Sequence, residues 1–251
     1  MKNKKLALSI IALIFVLILG GFLAFGYYQK ANYKLQRPVV SMEIEGYGTV
    51  KMELYPDMAP NTVRNFIKLI NDGYYNGLTF HRVEENLIQG GDKQGDGSGE
   101  TEACIDGEFS ENGYDNTLKF ERGTLGLARA DYSAYYYYYG LDASVIKEGY
   151  NSGYAQFFIM TEPEENFDGY YTAFGKVTEG MEIVDAITKL ETEVEKDEES
   201  GEETKTTKPV NPPVITNISV ETFGEDYGEP KTHETFDINS YLMQKLYGIS
   251  Y

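Results

Sequence analysis

Short runs of alternating apolar and polar residues make up much of this chain, and such runs are typical of β-strands that are buried on one face. The first two runs, Val39 to Glu45 and Thr49 to Tyr55, flank Gly46-Tyr47-Gly48 and predict a β-hairpin. Further strands are expected at 78–83, 86–89, 124–129, 156–161, 172–177 and 214–222.

Two segments have the helical period instead. The first begins at Pro60 and ends before Gly73, and its apolar residues Val63, Phe66, Ile67 and Ile70 fall on one face. The second runs from Glu179 to Leu190. Many short strands with only two helices predict a mainly β domain, a barrel or a sandwich, and not a parallel α/β sheet.

The N-terminus has a different pattern. An uncharged apolar run from Leu6 to Gly26, of about 21 residues, is long enough to cross a bilayer as a helix. No small-residue cleavage pattern follows it. We therefore expect an N-terminal transmembrane helix that stays attached as a signal anchor, with a cleaved signal peptide as the alternative.

Basic residues flank this apolar run on both sides, so the positive-inside rule does not fix its orientation by count. The tail before it is very short. We therefore expect a single-pass protein of the cell membrane, with residue 1 in the cytoplasm and the folded domain outside.

The rest of the chain divides by composition. Residues 1–26 are the expected anchor and 27–37 a polar tether, and 38–222 hold the strands and helices. Two segments inside this domain are expected to be insertions: 131–150, which is rich in tyrosine, and 191–208, which is acidic and predicts a solvated loop. Residues 223–251 form a polar C-terminal extension, whose last stretch, 241–249, could make a short helix.

Composition excludes several classes of function. The net charge of −18 argues against nucleic-acid binding, which needs a basic surface. The single cysteine allows no internal disulfide and no thiolate metal cage. With two histidines, a histidine-based metal site is not expected either.

Three sequence blocks carry candidate chemistry. Phe80-His81-Arg82 is followed by Gln89-Gly90-Gly91-Asp92, and the later blocks are Ala155-Gln156-Phe157-Phe158-Ile159 and Phe174-Gly175-Lys176-Val177. Together they supply a guanidinium, amides and aromatic rings, but no nucleophile paired with a base. Such a set suits a reaction in which no covalent bond is broken.

In their order along the chain, these blocks resemble the cyclophilin family of peptidyl-prolyl cis–trans isomerases. The resemblance covers roughly residues 38–222 without the two insertions. It implies a closed eight-stranded antiparallel β-barrel capped by two α-helices, a substrate groove on the outer face of the barrel, and no cofactor or metal.

The resemblance also implies roles for individual residues. Arg82 matches the family's catalytic arginine, and Gln89 is expected to act with it by binding the substrate backbone. Phe158, with Leu127 and Leu87, matches the floor of the proline pocket. The other matches are to substrate-binding positions of the groove and of a bordering glycine-rich loop: Ala128, Arg129, Ala130, Gln156, Phe167, Tyr171 and Gly97.

The chemistry implied by the resemblance fits a guanidinium. Rotation about a peptide bond faces a barrier of about 18–20 kcal/mol, because resonance gives the bond double-bond character. A donor that binds the prolyl nitrogen only in the twisted state lowers this barrier by differential binding. The expected partners are proline-containing segments of unfolded or exported proteins.

The sequence departs from the family pattern in the pocket. The usual Phe-Met pair is replaced by Asn86 and Leu87, and Asn166 stands where a tryptophan is associated with cyclosporin binding, so weak cyclosporin binding is expected. The alternative function is a cyclophilin-like peptide- or protein-binding module with weak or no isomerase activity. The run Tyr135 to Tyr139 is either a recognition surface or a loop that packs on its own domain.

Overall fold

The computed structural model describes residues 14–28, 36–99, 103–196 and 203–248. The chain forms two compact units, Met1–Gln36 and Arg37–Tyr251. In the first unit, residues 14–28 form helix α1, and its apolar side chains are exposed. Among the described residues, none of the helices has both the length and the apolar character of a membrane span. The first part of the expected span, 6–13, lies outside the described residues.

The described residues of the second unit form ten strands. They are β1 (Val39–Ile44), β2 (Gly48–Leu54), β3 (Thr79–Val83), β4 (Leu87–Asp92), β5 (Thr124–Leu127), β6 (Phe157–Met160), β7 (Thr172–Glu179), β8 (Thr192–Lys196), β9 (Glu203–Pro209) and β10 (Ile215–Glu221). The expected hairpin is β1–β2, and its turn contains Gly46 at φ 74° and Gly48 at φ 117°, conformations that a glycine adopts without steric cost.

Helices lie between these strands and after the last one. They are α2 (Pro60–Asn71), α3 (Ser133–Tyr139), α4 (Ser144–Tyr150), α5 (Met181–Ile187) and α6 (Ile238–Tyr247), with single 3₁₀ turns at Ser110–Asn112 and Glu165–Phe167. The two expected helices are α2 and α5. The tyrosine-rich insertion forms α3 and α4, and the short C-terminal helix is α6, although Ile249 lies outside the described residues.

Eight strands form one antiparallel sheet in the order β10-β1-β2-β7-β5-β6-β4-β3. The edge strands β3 and β10 meet at one end only, through an isolated bridge between Thr79 and Val214. The fully closed barrel that we expected is therefore not found; the sheet is a curled one. Where they are described, the two edge strands share a few hydrogen bonds, such as Phe80 N to Pro213 O at 3.0 Å, instead of a continuous ladder. The sheet therefore does not close along the length of these strands.

The acidic segment 191–208 was expected to be a solvated loop, and this prediction is wrong where the segment is described. It forms the two-stranded sheet β8–β9, and β9 lies beside the edge strand β3. Alternating threonine, valine and charged residues give both halves of the segment the period of a strand. A hairpin at this place covers an edge that could otherwise pair with another chain.

The core lies inside the curl of the sheet and beneath α2. Phe66 of α2 is at its centre, with ring centroids 5.4 Å from Phe157 on β6, 5.2 Å from Phe174 on β7 and 5.2 Å from Tyr75. Because side chains alternate along a strand, the neighbours of Phe157 and Phe174 point to the opposite, outer face of the sheet. The candidate site is built on that outer face.

Candidate active site

Five residues form a row across five neighbouring strands, and we call them the outer row. Arg82 on β3 pairs with Gln89 on β4, and Gln89 pairs with Phe158 on β6. The row continues through Gly126 on β5 to Ala173 on β7. Directly paired residues of adjacent strands present their side chains to the same face. The sheet therefore brings Arg82, Gln89 and Phe158 together, as the sequence predicted.

The polar end of the row is a chain of hydrogen bonds. Arg82 Nη1 donates to Gln89 Oε1 at 2.9 Å, and Gln89 Nε2 donates to Gln156 Oε1 at 2.9 Å. Gln156 Nε2 donates in turn to the carbonyl oxygen of Gly97 at 3.1 Å. The two glutamines and Gly97, matched separately in the sequence, thus form one connected network with the arginine.

Glu84 is a partner of Arg82 that the sequence analysis missed. Its Oε1 accepts a hydrogen bond from Arg82 Nε at 2.8 Å and forms an ion pair with Nη2 at 2.6 Å. Arg82 and Glu84 are two residues apart on an extended segment, so their side chains lie on the same face, and this spacing was the signal available in the sequence. Glu84 on one side and Gln89 on the other fix the plane of the guanidinium.

The apolar end of the row is a group of rings, which we call the aromatic cluster: Phe120, Phe158, Phe167 and Tyr171. Phe158 stacks on Phe120 with centroids 5.6 Å apart, and it meets Phe167 and Tyr171 edge-on at 5.7 and 5.8 Å. Leu87, Met160 and Ala173 are buried in the same cluster. Phe120 was missed by the sequence analysis, because no strand or helix pattern marks its segment.

Phe158 itself is only 3% exposed, so its ring is covered instead of forming an open pocket floor. The half-buried apolar residues that pack on this cluster are Leu118, Ala128, Phe167 and Tyr171. The apolar surface open to a ligand is therefore this rim above Phe158. Phe158 and Leu87 lie in the cluster on which this rim packs, and their place at the floor of a proline pocket stays a prediction.

Leu127 is not part of the aromatic cluster, and its expected place in the proline pocket is wrong. It points to the opposite side of β5, into the main core, where it is 5% exposed. The residue that faces Phe158 from β5 is Gly126, where an added Cβ would overlap the ring of Phe158. The sequence did not show which alternate residues of this short apolar strand face outwards.

The segment after β5 forms a wall beside the cluster. The guanidinium of Arg129 lies 4.5 Å from the ring centroid of Tyr171 and 4.9 Å from that of Tyr150. Its Nε donates to the carbonyl oxygen of Tyr170 at 2.9 Å, and its Nη1 donates to that of Ala130 at 2.9 Å. Arg129 is thus a stacked, hydrogen-bonded wall residue.

His81 lies on the other side of β3 from Arg82, beneath the glycine-rich loop. Its side chain is buried, and neither ring nitrogen has a hydrogen-bond partner within the part of the chain that the structure describes. A Cβ at Gly97 would lie 3.5 Å from His81 Nε2. Burial lowers the pKa of His81, and the nearby Asp92 opposes this effect. His81 is therefore a packed, neutral imidazole at neutral pH.

No group of three or more histidine, cysteine, aspartate or glutamate side chains in the described ranges is arranged to hold a metal ion. The site offers the guanidinium groups of Arg82 and Arg129, two amides, backbone carbonyls and an apolar rim. These groups can donate hydrogen bonds to a peptide or pack against it.

The sequence that forms this arrangement matches a known protein family. Residues 39–220 match the family model described as cyclophilin type peptidyl-prolyl cis-trans isomerase. The chain belongs to this family. Its members are enzymes that isomerise peptidyl-prolyl bonds, and the matched range of this cyclophilin chain contains the whole outer row.

Curated relatives include bacterial proteins that are shorter than this chain. Peptidyl-prolyl cis-trans isomerase B of Bacillus subtilis is 39% identical over 141 residues, which are 56% of this chain and 83% of that protein. A peptidyl-prolyl cis-trans isomerase of Synechococcus elongatus is 37% identical over 144 residues, which are 57% of this chain and 82% of that protein.

Solved structures show the same fold. A Cryptosporidium parvum cyclophilin type peptidyl-prolyl cis-trans isomerase superposes with a TM-score of 0.55 at 26% identity, covering 74% of this chain and 98% of that one. A structure of the same protein in the presence of the dipeptide Ala-Pro gives a TM-score of 0.54, covering 73% and 98%. The curled antiparallel sheet of this chain is therefore the cyclophilin fold.

Proposed function

We propose that this cyclophilin catalyses cis–trans isomerisation of X–Pro bonds in proline-containing segments of protein substrates. The observation that supports this most is the outer row, in which Arg82 and Gln89 pair across β3 and β4 next to the ring of Phe158. The related structure in the presence of Ala-Pro supports the same class of ligand.

The proposed mechanism needs no proton transfer to a base and no covalent intermediate. Twisting the X–Pro bond breaks its resonance, and the prolyl nitrogen becomes pyramidal and regains a lone pair. A donor of Arg82 would bind that lone pair, which the planar ground state does not offer. Arginine suits this role because it stays charged and presents its donors in a rigid fork.

The substrate would be held on both sides of the twisting bond. Its proline ring would pack on the half-buried rim of Phe167, Tyr171 and Ala128. Gln89 and Gln156 would exchange part of their mutual hydrogen bonding for the substrate backbone, which keeps one end of the peptide fixed while the other rotates.

We further propose that the enzyme is anchored in the cell membrane and assists the folding of exported proteins at the outer face. The apolar run from Leu6 to Gly26 and the exposed apolar side chains of residues 14–28 support an anchor. Cyclosporin is expected to bind weakly, because Asn166 is an exposed polar residue whose amide bonds Glu164 at 2.8 Å.

Substitution of Arg82 tests the activity. The full-length protein should accelerate isomerisation of a proline peptide in a protease-coupled assay, and Arg82→Ala should lower kcat/KM by about 10²- to 10³-fold, as expected for loss of a donor to the transition state. The control is Arg37→Ala, which removes a surface arginine that pairs with Glu53 and Asp57 instead. Cyclosporin added to the same assay measures its affinity.

Equal rates for the wild-type protein and Arg82→Ala, with both correctly folded by circular dichroism, would contradict the assignment. Such a result would favour the alternative, a binding module that keeps the fold without efficient catalysis.

A further inference from the structure

A second hollow adjoins the outer row, and we call it the side cleft. It has a volume of about 650 Å³ and begins at Gln89, Gln156 and Ala128. Its opposite wall comes from the C-terminal extension, residues 235–239, and from Tyr132 of the tyrosine-rich insertion. Gln89 belongs to the outer row, and Ala128 belongs to the rim above Phe158. A peptide bound across the row and the rim would therefore continue into the side cleft.

The extension is fixed against the domain by regular contacts. Cys104 and His233 form an antiparallel bridge with both hydrogen bonds at 2.9 Å. Asn61 forms a reciprocal pair with the backbone of Lys231, donating at 2.9 Å and accepting at 2.7 Å. The ring of Phe236 lies 6.1 Å from that of Tyr132. The wall is thus part of the folded unit.

This wall is a property of the present chain. The family match ends at residue 220, before the extension begins. The extension and the insertion meet at the contact between Phe236 and Tyr132, and both residues line the cleft. What the extension adds to the cleft therefore lies outside the residues that the family model matches.

The chemistry of the wall favours a basic side chain. Asp237 is at its rim, and its hydrogen bonds with Ser240 and Asn239 lower the pKa of its carboxyl group, so it carries a negative charge. The rings of Tyr132 and Phe236 offer apolar faces on which the stem of a lysine or arginine can pack while its head reaches a carboxylate.

The cleft contains one further charged side chain besides Asp237 among the described residues of its lining. Arg129 is the cationic residue of the lining and keeps its charge, but its guanidinium is held against Tyr150 and Tyr171 and donates to two backbone carbonyls, so it is fixed on the wall beside the aromatic cluster and Asp237 is the carboxylate of the extension's wall. The chain as a whole has a net charge of −18, which attracts basic peptides at low ionic strength.

We propose that the C-terminal extension is a specificity element, which selects substrates with a lysine or arginine at one position near the isomerised proline. This proposal rests on the proposed isomerase function for the identity of the substrate. Asp237, Phe236 and Tyr132 are the residues that would make the selection.

The test uses the full-length protein and proline peptides that differ at one position. Lysine, alanine or glutamate is placed at each of the neighbouring positions before and after the proline, and kcat/KM is measured for every peptide. We expect a preference for lysine over glutamate of about threefold to fivefold at a single position, the size expected for an exposed ion pair.

The decisive variant is Asp237→Asn, which keeps an N-cap residue for α6 because asparagine caps a helix as well as aspartate does. It should abolish the lysine preference and leave the rate on the alanine peptide unchanged. The matched control is Asp226→Asn, which changes a turn carboxylate of the same extension that accepts from Gly228 N. That variant should keep the preference.

Two results would overturn the proposal: the absence of any position-specific preference, or a preference that survives in Asp237→Asn. The rate on the alanine peptide reports separately on the isomerase function. If no peptide is turned over, the dissociation constants of the same lysine and glutamate peptides replace kcat/KM, and the comparison of variants is read in the same way.

Discussion

The guanidinium of Arg82 is held from two directions. Its Nε donates a hydrogen bond to Glu84, and its Nη1 donates one to Gln89. The guanidinium therefore has little freedom to rotate before a substrate binds. This arrangement lowers the entropy that must be lost when the guanidinium meets a twisted amide. It also explains why a lysine, whose single ammonium cannot engage both partners in the same way, would be a poor replacement.

At the same scale, His81 makes stability depend on pH. Burial keeps the pKa of His81 below its ordinary value, so the unfolded chain takes up a proton at a pH where the folded chain does not. The free energy of unfolding should therefore fall as the pH decreases below about 6.5. Urea denaturation at about pH 7.5 and about pH 5.5 measures this change in the free energy of unfolding. The change should be smaller in His81→Gln than in the wild-type protein.

His233→Gln is the matched control for this experiment, because it removes the other histidine, whose side chain is exposed. An equal loss of stability in the wild-type protein and in His81→Gln between the two pH values would show that other groups carry the pH dependence.

The residue-level predictions from sequence succeeded where strand pairing follows from a motif. Arg82 and Gln89 lie in one hairpin, so their proximity follows from local pairing, and Gln156 joins them on the outer face. The face of Leu127 was predicted wrongly because β5 is buried on both faces. Its residues are therefore apolar throughout, and no alternation of apolar and polar residues shows which side chains point outwards. Phe120 and Glu84 needed knowledge of partners that only the folded chain provides.

At the scale of elements, helix α2 depends on a distant carboxylate. The cap residue Ala59 has no side-chain acceptor, and Pro60 has no N–H. Glu108, which is buried, accepts hydrogen bonds from Asn61 N at 2.9 Å and from Thr62 N at 2.8 Å. The free donors at the start of α2 are thus satisfied by a residue that is far away in sequence.

Glu108→Gln should therefore destabilise the protein, because an amide offers one oxygen in place of two. The expected loss is about 1–3 kcal/mol in the free energy of unfolding, measured by urea denaturation. Glu111→Gln, which changes a nearby exposed carboxylate, is the control. A loss of similar size in both variants would argue against the capping role.

Elements with a strong local pattern were predicted well, and those that depend on context were not. The β1–β2 hairpin and α2 have clear periods and turn residues, and both lie close to where the sequence placed them. The acidic hairpin β8–β9 was missed because its charge suggested solvation, whereas two adjacent strands with threonine and valine can pair even when both are exposed.

For the whole molecule, the proposed membrane anchor predicts a location. The full-length protein, expressed in bacteria, should sediment with the membrane fraction and resist extraction by high salt. Leu17→Lys combined with Leu19→Lys should release much of it, because each lysine near the centre of a spanning helix costs about 2.5–3.5 kcal/mol.

Val194→Lys is the control, since it adds a lysine at an exposed apolar position of β8, outside the apolar run. Release of the wild-type protein by salt alone would contradict the anchor. Cleavage of the domain by protease added to intact spheroplasts would support its position outside the cytoplasm, and full protection would place it inside.

The absence of a side chain at Gly126 links this position to the two rings beside it. A Cβ there would overlap Phe158 and come within 2.7 Å of Phe120 Cε1, so β5 lies as close to the stacked pair as the backbone allows. Residues 120, 126 and 158 therefore share one fixed volume. A lineage that acquires a larger residue at 126 has to shrink a ring in compensation, and the three positions should covary during divergence.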